Sequence, residues 1–229
     1  MAIVATDIEF HLSGAAGTPL TSIGGAIHAT TIVDATVDNL FSQVSSAEAV
    51  AGLTEYRCFY VKNAHATLTL QNAATYILTD AAPTDQDTEI AIGSSPVNGV
   101  ERTMVDSLTN PLIAAAWLVS NDYAVGDYVE PTVANGYLYE ATADAGSSAA
   151  TEPVWPTTLG ATVVDSGITW TCRAKNTFQT LAGVANKLTI GDIPVGQWQA
   201  IWIKRVITAG AVAANATSAV IRVVGDTAA

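Results

Sequence analysis

The sequence predicts an all-β chain: an antiparallel β-sandwich, of immunoglobulin-like or jelly-roll type, with a small β module inserted into it. Short runs with period-two alternation, or dense in β-branched and aromatic residues, recur between turns rich in Gly, Pro, Asn and Ser. Helical periodicity is nearly absent, which removes the crossovers that a parallel sheet requires. Residues 117–173 then change character. They gather three of the five Trp and four of the seven Tyr in a stretch poor in aliphatic side chains. The expected division is a host of 1–116 with 174–229, and a module of 117–173.

The elements follow in order. Ile8, Phe10 and Leu12 alternate with Asp7, Glu9 and His11, the mark of a strand with one wet face. Ser13 to Pro19 closes it as a loop, and Gly24-Gly25 marks a further turn. One short helix is expected within 40–52, because Ser45 with Glu48 makes a capping box and Gly52 suits the C-terminal end. Glu55 to Asn63 is the strongest strand, apolar on both faces and therefore central and covered on both sides. Two strands follow at Thr67–Leu70 and Thr75–Thr79, then an acidic loop at Asp80–Asp87, a strand at Thr88–Ile92 and an extended edge at Val100–Leu108. Beyond the module, Leu188–Ile190 reads as a strand, Gly191–Gly196 as a turn, Gln197–Ile207 as a long strand and Ser218–Val224 as the last.

Composition excludes whole classes of function. Half the chain is hydrophobic (49%) and only 13% is charged, so it folds and its surface carries many small neutral residues. The net charge of −12 leaves no basic face for phosphate, and the densest basic spot, Lys204-Arg205, points to opposite sides of a strand. No nucleic acid and no anionic membrane surface is expected as a partner. The longest apolar run, Leu112–Val119, is far short of the ~20 residues that span a bilayer. The N-terminus lacks a basic secretory n-region.

The search for chemistry returns little, and no enzyme and no cofactor is expected. His11, His28 and His65 stand apart, and Glu9 with His11 supplies only two of the ligands a metal needs. Asp85, Asp87 and Glu89 alternate as in a calcium loop but lack its Gly and distal Glu. No G-x-S-x-G elbow, phosphate loop or dinucleotide motif occurs. The other acidic residues fall mostly in loops and read as solvated. Cys58 and Cys172 read as buried apolar residues, with a disulfide left open for an oxidising compartment.

Trp117, Tyr123-x-x-Gly126-Asp127-x-Val129 and Gly136-x-x-Tyr139-x-Ala141 resemble the small chitin-binding type of carbohydrate-binding module. The stretch from Ala145 to Arg173 is similar to an extension in inserts of tailed-phage virion proteins. This resemblance implies a sugar-stacking role for Trp117, Tyr123, Tyr137, Tyr139, Trp155 and Trp170. The same aromatics equally suit the core of a domain too small to spare them.

A second resemblance runs through the flanks. Glu55–Asn63, Ile190–Gln197, Ala200–Arg205 and Ile221–Ala229 are similar to segments of tailed-bacteriophage structural proteins, the string G-x-I-P-x-G-Q…A-I-W-x-K-R being the most distinctive. It implies a non-enzymatic virion component assembled in the host cytoplasm. The leading expectation is a capsid decoration protein whose partners are the major capsid protein and copies of itself, a homotrimer fitting capsid symmetry. A tail, collar or baseplate station is the alternative. From another class comes an adhesin for host surface glycans.

Overall fold

The computed structural model describes residues 2–80, 85–180, 183–212 and 218–227. The chain is nearly all β and sandwich-like. It divides into two compact units, Met1–Asn110 with Thr177–Ala229, and Pro111–Asn176. This division falls slightly outside the boundaries 117 and 173 read from the sequence.

In chain order the first unit contributes β1 (Ile8–Ser13), β2 (Ile27–Thr31), α1 (Ser46–Ala51), β3 (Leu53–Asn63), β4 (Leu70–Asp80) and β5 (Gln86–Ile92). The second holds β6 (Ala115–Ala116), β7 (Asp122–Tyr123), β8 (Tyr128–Glu130), β9 (Tyr137–Ala143), β10 (Gly146–Ser147), β11 (Thr162–Asp165) and β12 (Ile168–Ala174). The first then resumes with β13 (Leu188–Ile193), β14 (Trp198–Ile207) and β15 (Ala219–Thr227).

Two antiparallel sheets make the host sandwich, ordered β2-β1-β3-β14-β5 and β13-β4-β15. Strand β3 is central, as its two apolar faces require, and pairs with β14 without a break from Trp198↔Lys62 to Ile207↔Leu53. Its odd-numbered Phe59 and Val61 join Leu12, Ile90, Ile201 and Ile203 of the same sheet. Across from them stand Leu70, Ala73, Ile77 and Ile193 of the other sheet. Each large side chain enclosed there contributes about 1.5–3 kcal/mol.

The opposite face of β3 presents Tyr56, Cys58 and Tyr60, all buried. Two irregular segments cover it. Cys58 N–H donates to the Ser22 carbonyl (2.7 Å), Gly25 N–H to that of Glu101 (3.0 Å) and Met104 N–H to that of Ile23 (2.9 Å).

At one end of the inner face Glu55 lies between two arginines. Arg57 Nη2 is 3.0 Å from one carboxylate oxygen, and Arg205 Nε donates to the other at 2.9 Å. Both guanidinium groups stack near the Phe41 ring, at 5.4 Å and 4.6 Å. They also donate to the Leu40 and Ser42 carbonyls, so the loop before α1 is tied to the sheet. Burial draws the Arg57 pKa down, and the Glu55 charge opposes that effect.

Helix α1 is capped as its sequence dictates. Ser45 accepts from Glu48 N–H, Glu48 returns a bond to Ser45 N–H, and Gly52 closes it at φ 80. Other elements differ from the sequence reading. Residues Thr67–Leu70 and Thr75–Thr79 are not two strands: β4 runs unbroken from Leu70, with Ala73 and Ala74 buried between β13 and β15. Val100–Leu108 forms only an isolated bridge at Glu101, its polar groups being met by the Gly25 segment. Strand β13 continues through Gly191 by a register shift, so the turn is confined to 194–197. Strand β2 had no alternating signal. Part of the acidic loop, 81–84, lies outside the described residues.

The second unit carries a five-stranded sheet, β11-β12-β9-β8-β6, and a two-stranded ribbon, β10-β7. Its one departure from antiparallel pairing is the two-residue parallel ladder Ala115↔Val129 and Ala116↔Glu130. Ala116 and Ala174 are therefore not neighbours. They lie on β6 and β12, with β8 and β9 between them.

Candidate functional site

The aromatics singled out by sequence converge in the second unit, and the sheet explains how. Pairing of β9 with β12 sets Tyr139 opposite Cys172 and Ala141 opposite Trp170. Small Ala141 leaves room for the indole beside it. Trp117, Tyr139 and Trp170 are enclosed there with Val129 and Ile168, and Tyr123, Tyr137, Trp155 and Val163 pack around them.

The six candidate residues therefore separate into two groups. Trp117 (5% exposed), Tyr139 (0%) and Trp170 (0%) form the core and offer no face to a ligand. Tyr123, Tyr137 and Trp155 are half-buried. Trp155 rests one face on Tyr139, with ring centroids 4.3 Å apart, and meets Trp170 edge-on at 6.0 Å. Tyr123 meets Trp170 edge-on at 5.1 Å, and its hydroxyl accepts from Leu118 N–H at 2.9 Å. These contacts are aromatic packing of about 0.5–1.5 kcal/mol per pair beyond burial.

The polar atoms of the cluster are held by residues that sequence reasoning passed over. Asp165 is buried (2% exposed), yet three donors meet it. Trp117 Nε1 donates to Oδ2 at 2.8 Å, Trp170 Nε1 to the same oxygen at 3.2 Å, and Ala149 N–H to Oδ1 at 2.8 Å. Asp165-Ser166-Gly167 reads in sequence as a hairpin turn, which it is, so the available signal pointed outward.

Glu152 plays the corresponding part for Trp155, accepting from its Nε1 at 2.8 Å and from Thr132 N–H at 2.8 Å. Burial works against the Glu152 charge, but the bonds from Thr132 and Trp155 outweigh it and hold the carboxyl below its ordinary range. The Tyr139 hydroxyl donates to the Pro156 carbonyl at 2.8 Å and accepts from Asn135 at 2.7 Å, joining two loops. Burial also pushes the Tyr139 phenol and the Cys172 thiol upward.

Elsewhere the scanned residues take local partners. His11 Nε2 lies 2.9 Å from Glu9, and Lys62 Nζ donates to the same carboxylate at 3.2 Å. A shallow groove of about 220 Å³ beside them is lined by His11, Ile27, His28, Ala29, Lys62 and Trp198. Glu89 is paired with Lys204 at 2.7 Å, and an Asp85 oxygen accepts from Val212 N–H. Among the described residues no three His, Cys, Asp or Glu gather as a metal site. Cys58 and Cys172 are free, buried and in different units.

What remains for recognition in the second unit is a discontinuous aromatic rim. No protein-family model, curated protein or solved structure matches the chain.

Proposed function

We propose that this chain is a non-enzymatic virion structural protein of a tailed bacteriophage, most simply a capsid decoration protein. The observation that carries the reading is a convergence. Two of the segments that resemble phage structural proteins, Glu55–Asn63 and Ala200–Arg205, lie side by side as the central pair β3 and β14. A third, Ile190–Gln197, ends β13 and leads directly into β14. The string that carries the resemblance belongs to one structural unit, the host sandwich. A decoration protein stabilises a shell by binding only the assembled form.

The test is the copy number in purified particles. On the order of hundreds of copies is expected from a closed, symmetric shell. A dozen or fewer moves the protein to the tail or baseplate, and absence from the particle overturns the reading.

The half-exposed Tyr123, Tyr137 and Trp155 favour a second reading, an adhesin for host surface glycans. A glycan array distinguishes it: binding by the natural chain that is lost in Trp155→Ala and Tyr137→Ala, with the fold retained, supports the adhesin. No binding at all removes it.

A further inference from the structure

The host sandwich contains a buried carboxyl that no function discussed above uses. Glu101 is 1% exposed. Its Oε2 accepts from Ser95 N–H at 3.0 Å, while its Oε1 has no partner. Two more buried atoms without a well-formed hydrogen bond adjoin it, Ser95 Oγ and Trp202 Nε1. The Ser95 and Trp202 side chains nonetheless approach closely enough to favour its charged form. Buried orphaned atoms are scarce in folded proteins, so one on a carboxyl with two more beside it points to a purpose.

Glu101 also stands where three segments meet. Its N–H donates to the Tyr60 hydroxyl at 2.9 Å, and that hydroxyl donates to the Gly25 carbonyl. Its carbonyl accepts from Gly25 N–H, and its side chain reaches Ser95. A Cβ on Gly93 would collide with the Glu101 carboxyl, and one on Gly24 with the Arg102 carbonyl, so both approaches depend on glycine. The groups facing the carboxyl are Cys58 and Tyr60 of β3, Trp202 of β14, Ser95 after β5, and the Arg102 backbone. None of these supplies a positive charge.

We propose that Glu101 is a proton-carrying latch: as the neutral acid, its Oε1 hydroxyl donates to the adjoining Ser95 hydroxyl and pins residues 93–104 on the sheet. Loss of that proton to solvent leaves a buried carboxylate that faces no positive charge, and the segment lifts. Burial, the largest influence, pushes this carboxyl above its ordinary range in spite of the bonds from Ser95 and Trp202. The folded chain thus holds the proton more tightly than the unfolded chain. Stability is full below the ordinary carboxylate pKa and falls as pH rises through the window up to the raised value.

Cys58, fully buried beside Glu101, reports the latch directly. In the full chain with Cys172→Ser, its labelling rate is followed from about pH 5 to about pH 9 and normalised to the thiolate fraction. With Glu101 present, the normalised rate rises by up to about tenfold per pH unit inside the window. In Glu101→Gln, which carries no ionisable proton, it stays flat. The melting temperature of the Glu101 chain falls relative to the Gln variant by about 3–5 °C per pH unit over the same window. A flat normalised rate in the Glu101 chain overturns the latch, whatever the variant does. Parallel profiles in the two chains overturn it too, as does a melting difference with no labelling difference.

Discussion

The two units each bury a carboxyl in apolar surroundings, and they do it in opposite ways. Asp165 in the module receives three donors, two of them indole N–H groups that would otherwise be orphaned. Glu101 in the host has one well-formed donor, Ser95 N–H, with weaker approaches from the Ser95 and Trp202 side chains and the Arg102 backbone, and one of its oxygens stays unmatched. The lesson concerns number of donors rather than depth. A well-supplied carboxylate organises a core, whereas a poorly supplied one stores a sensitivity to pH. The cores differ in the same spirit. The host packs Ile, Leu, Val and Phe between two sheets, and the module, short of aliphatics, packs aromatic rings around a single acid.

The comparison can be broken in either unit, because each holds one free buried thiol. Cys58 labelling reads the host and Cys172 labelling reads the module. The largest effect is expected from Glu55→Ala, which leaves Arg57 and Arg205 buried beside one another without their shared carboxylate. A loss of about 3–5 kcal/mol is expected, read as accelerated labelling of Cys58. Trp170→Ala should cost the module about 3–5 kcal/mol through its cavity and expose Cys172 first. If Cys58 opens equally in that variant, the two units do not open separately.

Asp165→Asn sharpens the point about donors. The amide keeps one acceptor oxygen but brings an N–H₂ toward a donor, so about 1–3 kcal/mol should be lost. Denaturant unfolding followed at Cys172 checks it, and an unchanged midpoint would mean the indoles do not depend on the charge. Smallest is Ser45→Ala, which removes one cap of α1 and should cost about 1 kcal/mol. Its readout is a lowered urea midpoint for the host with the module unaffected.

Much of the fold was legible because local chemistry and tertiary demand agree. Glu55–Asn63 carries apolar residues on both faces and is central, and Ser45, Glu48 and Gly52 delimit α1 as capping rules require. Legibility failed where a segment serves another rather than itself. Val100–Leu108 exists to cover β3, so its extended look has no ladder behind it. The join between Thr67–Leu70 and Thr75–Thr79 was hidden by exposed Asn72 and by Ala73 and Ala74, which look like a break although the two alanines are tightly packed.

The candidate site shows the same limit. Its aromatics could be found from composition, but not the split of Trp117, Tyr139 and Trp170 into the core from Tyr123, Tyr137 and Trp155 at the rim. Glu55, Glu101 and Asp165 show no sign in the sequence of their buried partners. Nothing in one sequence marks an acid whose donors come from residues far along the chain.

The pairing of β3 with β14 has a consequence for synthesis. Glu55 and Arg205 meet across 150 residues of sequence. On a ribosome, β1, β3, β4 and β5 emerge and wait with an open seam while the whole module is made. The module's own strands are contiguous, so it can close locally long before the host can. Once folded, it shortens the slack between β5 and β14 and lowers the entropy cost of their meeting.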